Sequence, residues 1–226
     1  MIAVIIRMTL KNTNAMILLS GAFNPIHLGH LNMFHKAKNY LENTKKFNVV
    51  KGYICPSSDY YVKSKLQNQA MSLKHRISLS ELMIYNDNIL QKTETSWLEV
   101  DKSGTASSYQ LAKKIYNANK VIYPNLIVYE LCGSDCAIKY SVWNKLYRNV
   151  ICFCRKVEDY EFIFNKNKSE NSKLIVLKEP PLDISSTQIR EILIQDKIKW
   201  VQLVEKMYLP QNCVDYLRDN STINKN

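Results

Sequence analysis

Apolar and polar positions along this 226-residue chain fall into blocks of two periods. Short apolar runs at 16–20, 49–55, 97–100, 126–132, 150–154 and 174–177 predict strands. Between and after them, apolar residues recur at helical spacing, predicting helices over 28–41, 73–85, 107–116, 136–143, 186–195 and 211–218. In the first of these helices Met33, Phe34, Ala37, Tyr40 and Leu41 form one stripe. Regular alternation of strand and helix implies an α/β fold, a doubly wound parallel sheet with helices on both faces, ending in a small helical part. Ligands of such sheets bind beyond the carboxyl ends of the strands. The loops 21–27, 56–70 and 133–143 therefore draw attention. Residues 165–172 are polar and lysine-rich and read as a mobile surface loop, and no internal repeat or linker is found.

The length suits one domain with a sizeable core. It is placed at 16–218, after an N-terminal extension (1–15) and before a C-terminal tail (219–226). The start of the chain has neither a charged lead nor a small-residue cleavage site, so a signal peptide is not expected. No apolar stretch approaches the ~20 residues that span a bilayer. Six cysteines, at 55, 132, 136, 152, 154 and 213, form no CxxC pair. They read as buried free thiols of a reducing compartment, cytoplasmic or nuclear. The net charge of +11 admits three readings. It could serve nucleic acid, it could steer polyphosphates, or it could reflect a bias towards Lys, Asn, Ile and Tyr. No dense basic stripe alternating with aromatics favours the first.

Candidate chemistry concentrates where the first strand meets the first helix: Gly21-Ala22-Phe23-Asn24-Pro25-Ile26-His27-Leu28-Gly29-His30. Gly21 allows a tight turn and close backbone approach of a ligand. Ala22 and Phe23 can offer main-chain N–H groups, and the first turn of a helix favours phosphate. His27 and His30, three apart, can face the same side. Gly29 between them removes a side chain where a flat base could lie. A histidine pair can neutralise charge developing on phosphate oxygens without covalent chemistry. The bland reading is a histidine that packs or caps. A metal site built on His27, His30 and His35 is disfavoured, because His35 falls off their face and no carboxylate completes the set.

A second segment, Asp183-Ile184-Ser185-Ser186-Thr187-Gln188-Ile189-Arg190, follows Pro180-Pro181. Ser185 and Gln188 fit a capping box. Ser186 and Thr187 then stand at an exposed helix N-terminus, with Thr187 and Arg190 on one face and Arg suited to bidentate phosphate recognition. Alone, the segment reads first as a capped helix.

Gly-x-Phe-Asn-Pro-x-His-x-Gly-His resembles the signature of the HxGH nucleotidyltransferases. The Phe-Asn-Pro core, with Ile-Ser-Ser-Thr-x-Ile-Arg downstream, resembles the nicotinamide/nicotinate mononucleotide adenylyltransferases. That family often has Ser where this chain has Ala22. The resemblance runs from about residue 16 to 218 and implies a Rossmann-like fold. It implies transfer of the AMP moiety of ATP to nicotinamide or nicotinate mononucleotide, giving the dinucleotide and pyrophosphate. Catalytic roles fall to His27, His30 and Arg190. ATP contacts fall to Gly21, Ala22, Phe23, His30, Lys63, Ser186, Thr187, Gln188, Ile189 and Arg190. Mononucleotide contacts fall to Ala22, Phe23, Tyr61, Lys63, Gly133, Asp135, Trp143 and Arg155, with Trp143 as a stacking face for the pyridine ring or as a core residue. The segment around His75 and Arg76 also resembles a family helix and reads as structural. A second ring-stacking residue is not identified among Thr105, Ser107, Ser108 and Tyr109. Mg²⁺ is expected, bound mainly through ATP phosphates and not by a protein ligand set. No nucleic-acid or membrane partner is expected, and self-association is possible. Two alternatives stand: another HxGH enzyme, such as a cytidylyltransferase or pantetheine-phosphate adenylyltransferase, and a non-catalytic nucleotide- or RNA-binding protein.

Overall fold

The computed structural model describes residues 13–91, 96–104, 107–178 and 182–220. The expected extension up to residue 12, Thr105, the Pro180-Pro181 break and the tail from residue 221 lie outside the described residues. Six strands make one sheet: β1 (Asn14–Gly21), β2 (Asn48–Pro56), β3 (Leu98–Val100), β4 (Ile127–Gly133), β5 (Val150–Phe153) and β6 (Leu174–Leu177). Their order is β3-β2-β1-β4-β5-β6, and every neighbouring pair is parallel. This is the doubly wound, Rossmann-like arrangement expected. β1 begins two residues before the expected start, and Asn14 ties it down by donating to the carbonyl of Pro124 at 2.8 Å.

The alternation of side chains along β1 divides the core. Ala15, Ile17 and Leu19 face one way, towards α1 (Leu28–Asn43), α3 (Leu73–Gln91) and the C-terminal helices α7 (Ser186–Leu193), α8 (Val201–Glu205) and α9 (Gln211–Asp219). Met16 and Leu18 face the other way, towards α4 (Ser108–Asn119). Beyond β4, that second face is covered by α5 (Ser134–Lys139) and α6 (Val157–Lys166). A central strand buried on both faces reads as a continuous apolar run, which is how β1 appears in the sequence.

The order of strands reverses between β1 and β4, which are direct neighbours. β1 leads to β2 on one side and β4 to β5 on the other, so their carboxyl ends, Gly21 and Gly133, border the crevice where ligands of this architecture bind.

The structure differs from expectation in several elements, among them α8 and the 3₁₀ turn before it, Lys197–Trp200, which were not expected. Within the expected 56–70 loop, Asp59–Leu66 forms a helix, α2, capped by Ser58. The helix expected over 136–143 starts earlier and ends at Lys139; Ser141 then takes a left-handed conformation (φ 47°) before a single 3₁₀ turn, Val142–Asn144. Helix α6 was not expected, and it occupies the stretch before the polar loop that leads to β6. Among the described residues, no helix is long and apolar enough to cross a membrane.

Candidate active site

The turn after β1 is shaped by Phe23, which adopts a positive φ of 44°. For a bulky residue that conformation costs of order 1–3 kcal/mol and signals an imposed local geometry. It folds the Phe23 ring back over Gly21, where a Cβ would meet the ring at 3.5 Å. The same ring lies edge to face with His30, centroids 4.9 Å apart.

His27 is the N-cap of α1 and His30 lies in its first turn. Their rings are 3.7 Å apart, centroid to centroid, and tilted by 32°. The main-chain N–H of His27 donates to His30 Nδ1 at 3.2 Å, and the N–H of His30 donates to the carbonyl of His27 at 2.9 Å. An Nδ1 that accepts leaves Nε2 to carry the proton of the neutral ring. Burial, then the nearby Arg155, lowers His30 to about 3. Burial, the His30 ring and Arg155 hold His27 well below the ordinary histidine range. Both rings are thus neutral near pH 7 and act as hydrogen-bond donors, not as fixed cations. His27 Nδ1 is buried without a hydrogen-bond partner.

Between the histidines, Gly29 stands close against its neighbours. A Cβ there would lie 3.0 Å from His27 Nδ1 and 3.2 Å from the Leu182 carbonyl oxygen. The missing side chain accommodates the His27 ring and the chain that enters α7.

That chain brings the second segment onto the first. Ser186 Oγ donates to the carbonyl of Pro25 at 2.8 Å. Arg190 Nη1 donates to the carbonyl of Asn24 at 2.9 Å, Nη2 to Thr187 Oγ1 at 3.0 Å and Nε to Gln69 Oε1 at 3.1 Å. The capping box is formed: Ser185 Oγ accepts from the Gln188 N–H, and Gln188 Oε1 accepts from the Ser185 N–H at 2.7 Å. Gln188 and Ile189 therefore support α7: the N–H of Ile189 bonds to the Ser185 carbonyl, and its side chain is buried in the core. The N–H groups of Ser186 and Thr187 belong to the open first turn of the helix. Arg155, just past β5, donates to the carbonyl of Ile184 at 3.1 Å and stands beside both histidines.

The remaining candidates border the carboxyl ends of β2 and β4. Tyr61 and Lys63 are exposed on α2. Tyr61 neighbours Tyr140, Lys139 and Cys136 at α5, and burial raises its phenol. Gly133 makes room for the carboxylate of Asp135, since a Cβ there would lie 2.7 Å from Asp135 Oδ1. Ser134 Oγ, beneath them, donates to Asp159 Oδ2 at 2.6 Å. Trp143 is half-buried and meets Phe162 of α6 edge to face at 5.7 Å, so packing takes part of its ring.

Three residues outside the candidate set hold this arrangement together. Asn24 is fully buried; its Nδ2 donates to the carbonyl of Gln69 at 2.8 Å and its Oδ1 accepts the N–H of Met71 at 2.7 Å. Gln69 receives Arg190, as described, and Arg76 binds the carbonyl of Ala22 at 3.0 Å. Asn24 carries a signal in its setting before Pro25, and Arg76 in the segment that resembles a family helix and reads as structural; Gln69 carries none that separates it from a surface residue.

The chain is similar to known proteins along most of its length. The cytidylyltransferase-like family model matches residues 18–192. The probable nicotinate-nucleotide adenylyltransferase of Endomicrobium trichonymphae is 29% identical over 201 residues, covering 85% of this chain and 94% of that protein. Nicotinamide/nicotinic acid mononucleotide adenylyltransferase 2 of Xenopus tropicalis is 37% identical over 89 residues, 39% of this chain; the match spans only 25% of that relative's length. Among solved structures, Plasmodium falciparum nicotinic acid mononucleotide adenylyltransferase complexed with APC superposes with a TM-score of 0.64 at 19% identity, covering 94% of this chain and 98% of that one. At that identity the likeness speaks for the fold. With a family model matched over most of its length, the chain belongs to the cytidylyltransferase-like family.

Proposed function

We propose that the protein transfers the AMP moiety of ATP to nicotinate or nicotinamide mononucleotide, forming the dinucleotide and pyrophosphate in NAD biosynthesis. The observation that carries this reading is the junction of the two segments, Ser186 on Pro25 and Arg190 on Asn24, with the paired histidines beside it. Relatives matched over nearly their whole length are named for this activity.

The mononucleotide 5′-phosphate is already a nucleophile. One of its oxygens bonds to the ATP α-phosphorus as the bond from that phosphorus to the bridging oxygen breaks, and pyrophosphate leaves with the electron pair. No nucleophilic side chain is required. Alignment and charge stabilisation suffice. His27 and His30, as neutral donors, would hold the α-phosphate within the turn formed by Gly21, Ala22 and Phe23. Thr187, Arg190 and the N–H groups of Ser186 and Thr187 would hold the leaving pyrophosphate, and Arg155 would stand between the two. Gln188 and Ile189 would contribute by shaping α7. Tyr61, Lys63, Gly133 and Asp135 would receive the mononucleotide, Lys63 reaching the ATP phosphates as well, with Trp143 offering its pyridine ring the face that Phe162 leaves uncovered.

Among the described residues, no group of three His, Cys, Asp or Glu side chains is placed to hold a metal ion. The donors around the histidines suit phosphate. Mg²⁺ would therefore enter on the ATP phosphates, where it neutralises charge on their oxygens. The basic surplus supports attraction of these anionic substrates. All six cysteines are free, which supports a reducing cytoplasmic or nuclear setting. Self-association remains part of the proposal and is read by light scattering.

The test is pyrophosphate release from MgATP with each mononucleotide, against CTP and against phosphopantetheine as controls. Turnover with either mononucleotide is expected, and the two KM values rank the acid against the amide. Turnover confined to a control pair would overturn the reading.

A further inference from the structure

Arg76 is fully buried, and its guanidinium donates to three separate segments. Nη1 reaches the carbonyl of Ala22 in the 21–27 turn at 3.0 Å, Nε the carbonyl of Met71 at 3.0 Å, and Nη2 the carboxylate of Asp59 at 2.9 Å. Asp59 lies in the first turn of α2, favourably for the helix dipole, and its Oδ1 also accepts the N–H of Leu73 at the start of α3. The bonds close on themselves. Met71 gives its N–H to Asn24 and its carbonyl to Arg76, while Asn24 offers its own carbonyl to Arg190. A continuous chain, Asp59–Arg76–Met71–Asn24–Arg190, thus runs from the helix bearing Tyr61 and Lys63 to the residue proposed to hold the leaving pyrophosphate.

Burying a guanidinium is costly, and an apolar side chain of similar volume would fill the space as well or better. What an apolar residue could not do is fix three main-chain and carboxylate acceptors relative to one another, which the planar fork of arginine does. Two of those acceptors belong to loops that carry candidate ligand contacts. An error of about 1 Å in such a site costs on the order of a hundredfold in rate.

We propose that Arg76 and Asp59 are positioning residues that set α2 against the 21–27 turn and thereby govern the mononucleotide side of the site. The inference rests on the adenylyltransferase reading for its substrate and on the bonds above for its geometry.

Arg76→Ala risks failing to fold, so Asp59, whose side chain is 41% exposed, carries the test. In Asp59→Ala, KM for the mononucleotide is expected to rise about tenfold, with a clearly smaller rise in KM for ATP, which shares only Lys63 with α2. Asp59→Asn keeps an acceptor and is expected to recover most of the loss. Arg76→Lys, which cannot reach all three acceptors, is expected to raise KM for the mononucleotide at least as much and, through the Ala22 carbonyl it also holds, to affect ATP as well; adding Asp59→Ala to it should cost less than the sum of the two, because the pair is coupled. Hydrogen exchange supplies a readout without substrate: Asp59→Ala should speed exchange over 59–66 and leave α7 unchanged. In Asp59→Ala, equal rises in both KM values, a lower melting temperature with unchanged kinetics, or unaltered exchange in α2 would each overturn the proposal. If the native protein makes no pyrophosphate from either mononucleotide, the functional reading fails, and the exchange result alone decides the positioning role.

Discussion

Arg190 and Asn24 are 166 residues apart in sequence, and the guanidinium of the first donates to the main-chain carbonyl of the second at 2.9 Å. The bond joins the start of α7 to the turn after β1, and the same guanidinium holds Gln69 and Thr187. An ammonium group offers no planar fork to satisfy acceptors in three directions. Arg190→Lys should therefore lower kcat/KM for ATP by roughly 10- to 100-fold, the scale of one or two charge-assisted hydrogen bonds. Steady-state kinetics at saturating mononucleotide check this; a value within twofold of wild type would remove Arg190 from the phosphate site.

His30 is braced on two sides, by the Phe23 ring at 4.9 Å and by the His27 N–H on its Nδ1 at 3.2 Å. A donor so fixed suits charge that appears only in the transition state. His30→Ala should lose about 2–4 kcal/mol of transition-state stabilisation, as for removal of a single oxyanion donor. The loss should appear in kcat with little change in KM for either substrate. Near-normal turnover in this variant would sink the assignment.

Much of this site is legible in the sequence because its residues are local. Gly21 to His30 and Ser185 to Arg190 each form one turn, so spacing alone places the histidines together and closes the capping box. The strands are legible because central parallel strands must be apolar on both faces. Helix α2 is not, because Val62 is its one buried residue and no apolar stripe announces it. Helix α6, with Ile163 alone buried, escapes for the same reason. The end of α5 turns on Ser141 adopting a left-handed conformation, which is rare for serine and has no pattern. Asn24 and Arg76 act on main-chain atoms some 45 to 54 residues away and Gln69 meets the Arg190 side chain 121 residues on, and which atom a side chain meets at such separations depends on packing.

Glu130, buried within β4, pairs with Arg148 through both of its carboxylate oxygens, and Arg148 Nη2 also donates to Ser108 Oγ at the start of α4 at 2.9 Å. Removing one partner strands the other charge. Glu130→Leu should destabilise the protein by about 3–5 kcal/mol. The double variant Glu130→Leu/Arg148→Met should lose less than that single one, because no charge is left unpaired. Urea denaturation measures both, and a double variant less stable than the single would show that the pair contributes net stability beyond mutual neutralisation. Adenylyl transfer should survive in the double variant, since the pair lies away from the histidines, on the α4 face of the sheet.

Stability should depend on pH through the paired histidines. In the folded protein both stay neutral, His30 with a pKa lowered to about 3 and His27 lowered by burial and its cationic neighbour. In the unfolded chain each takes up a proton near the ordinary value of about 6.5. Above that pH neither state binds the proton and the pair adds no pH dependence. Below it the unfolded state binds more protons than the folded one, so stability falls as the pH drops, and the fall continues until the folded-state values are reached. By pH 5.5 the loss is about 1 kcal/mol for each ring, because both folded-state values lie well below that pH. His75, also lowered by partial burial and Lys74, pulls in the same direction and must be separated out. Urea melts at pH 7.5 and 5.5 should therefore show a smaller drop in His27→Gln/His30→Asn than in the native protein. Equal drops would mean that the two rings are not held neutral by the fold.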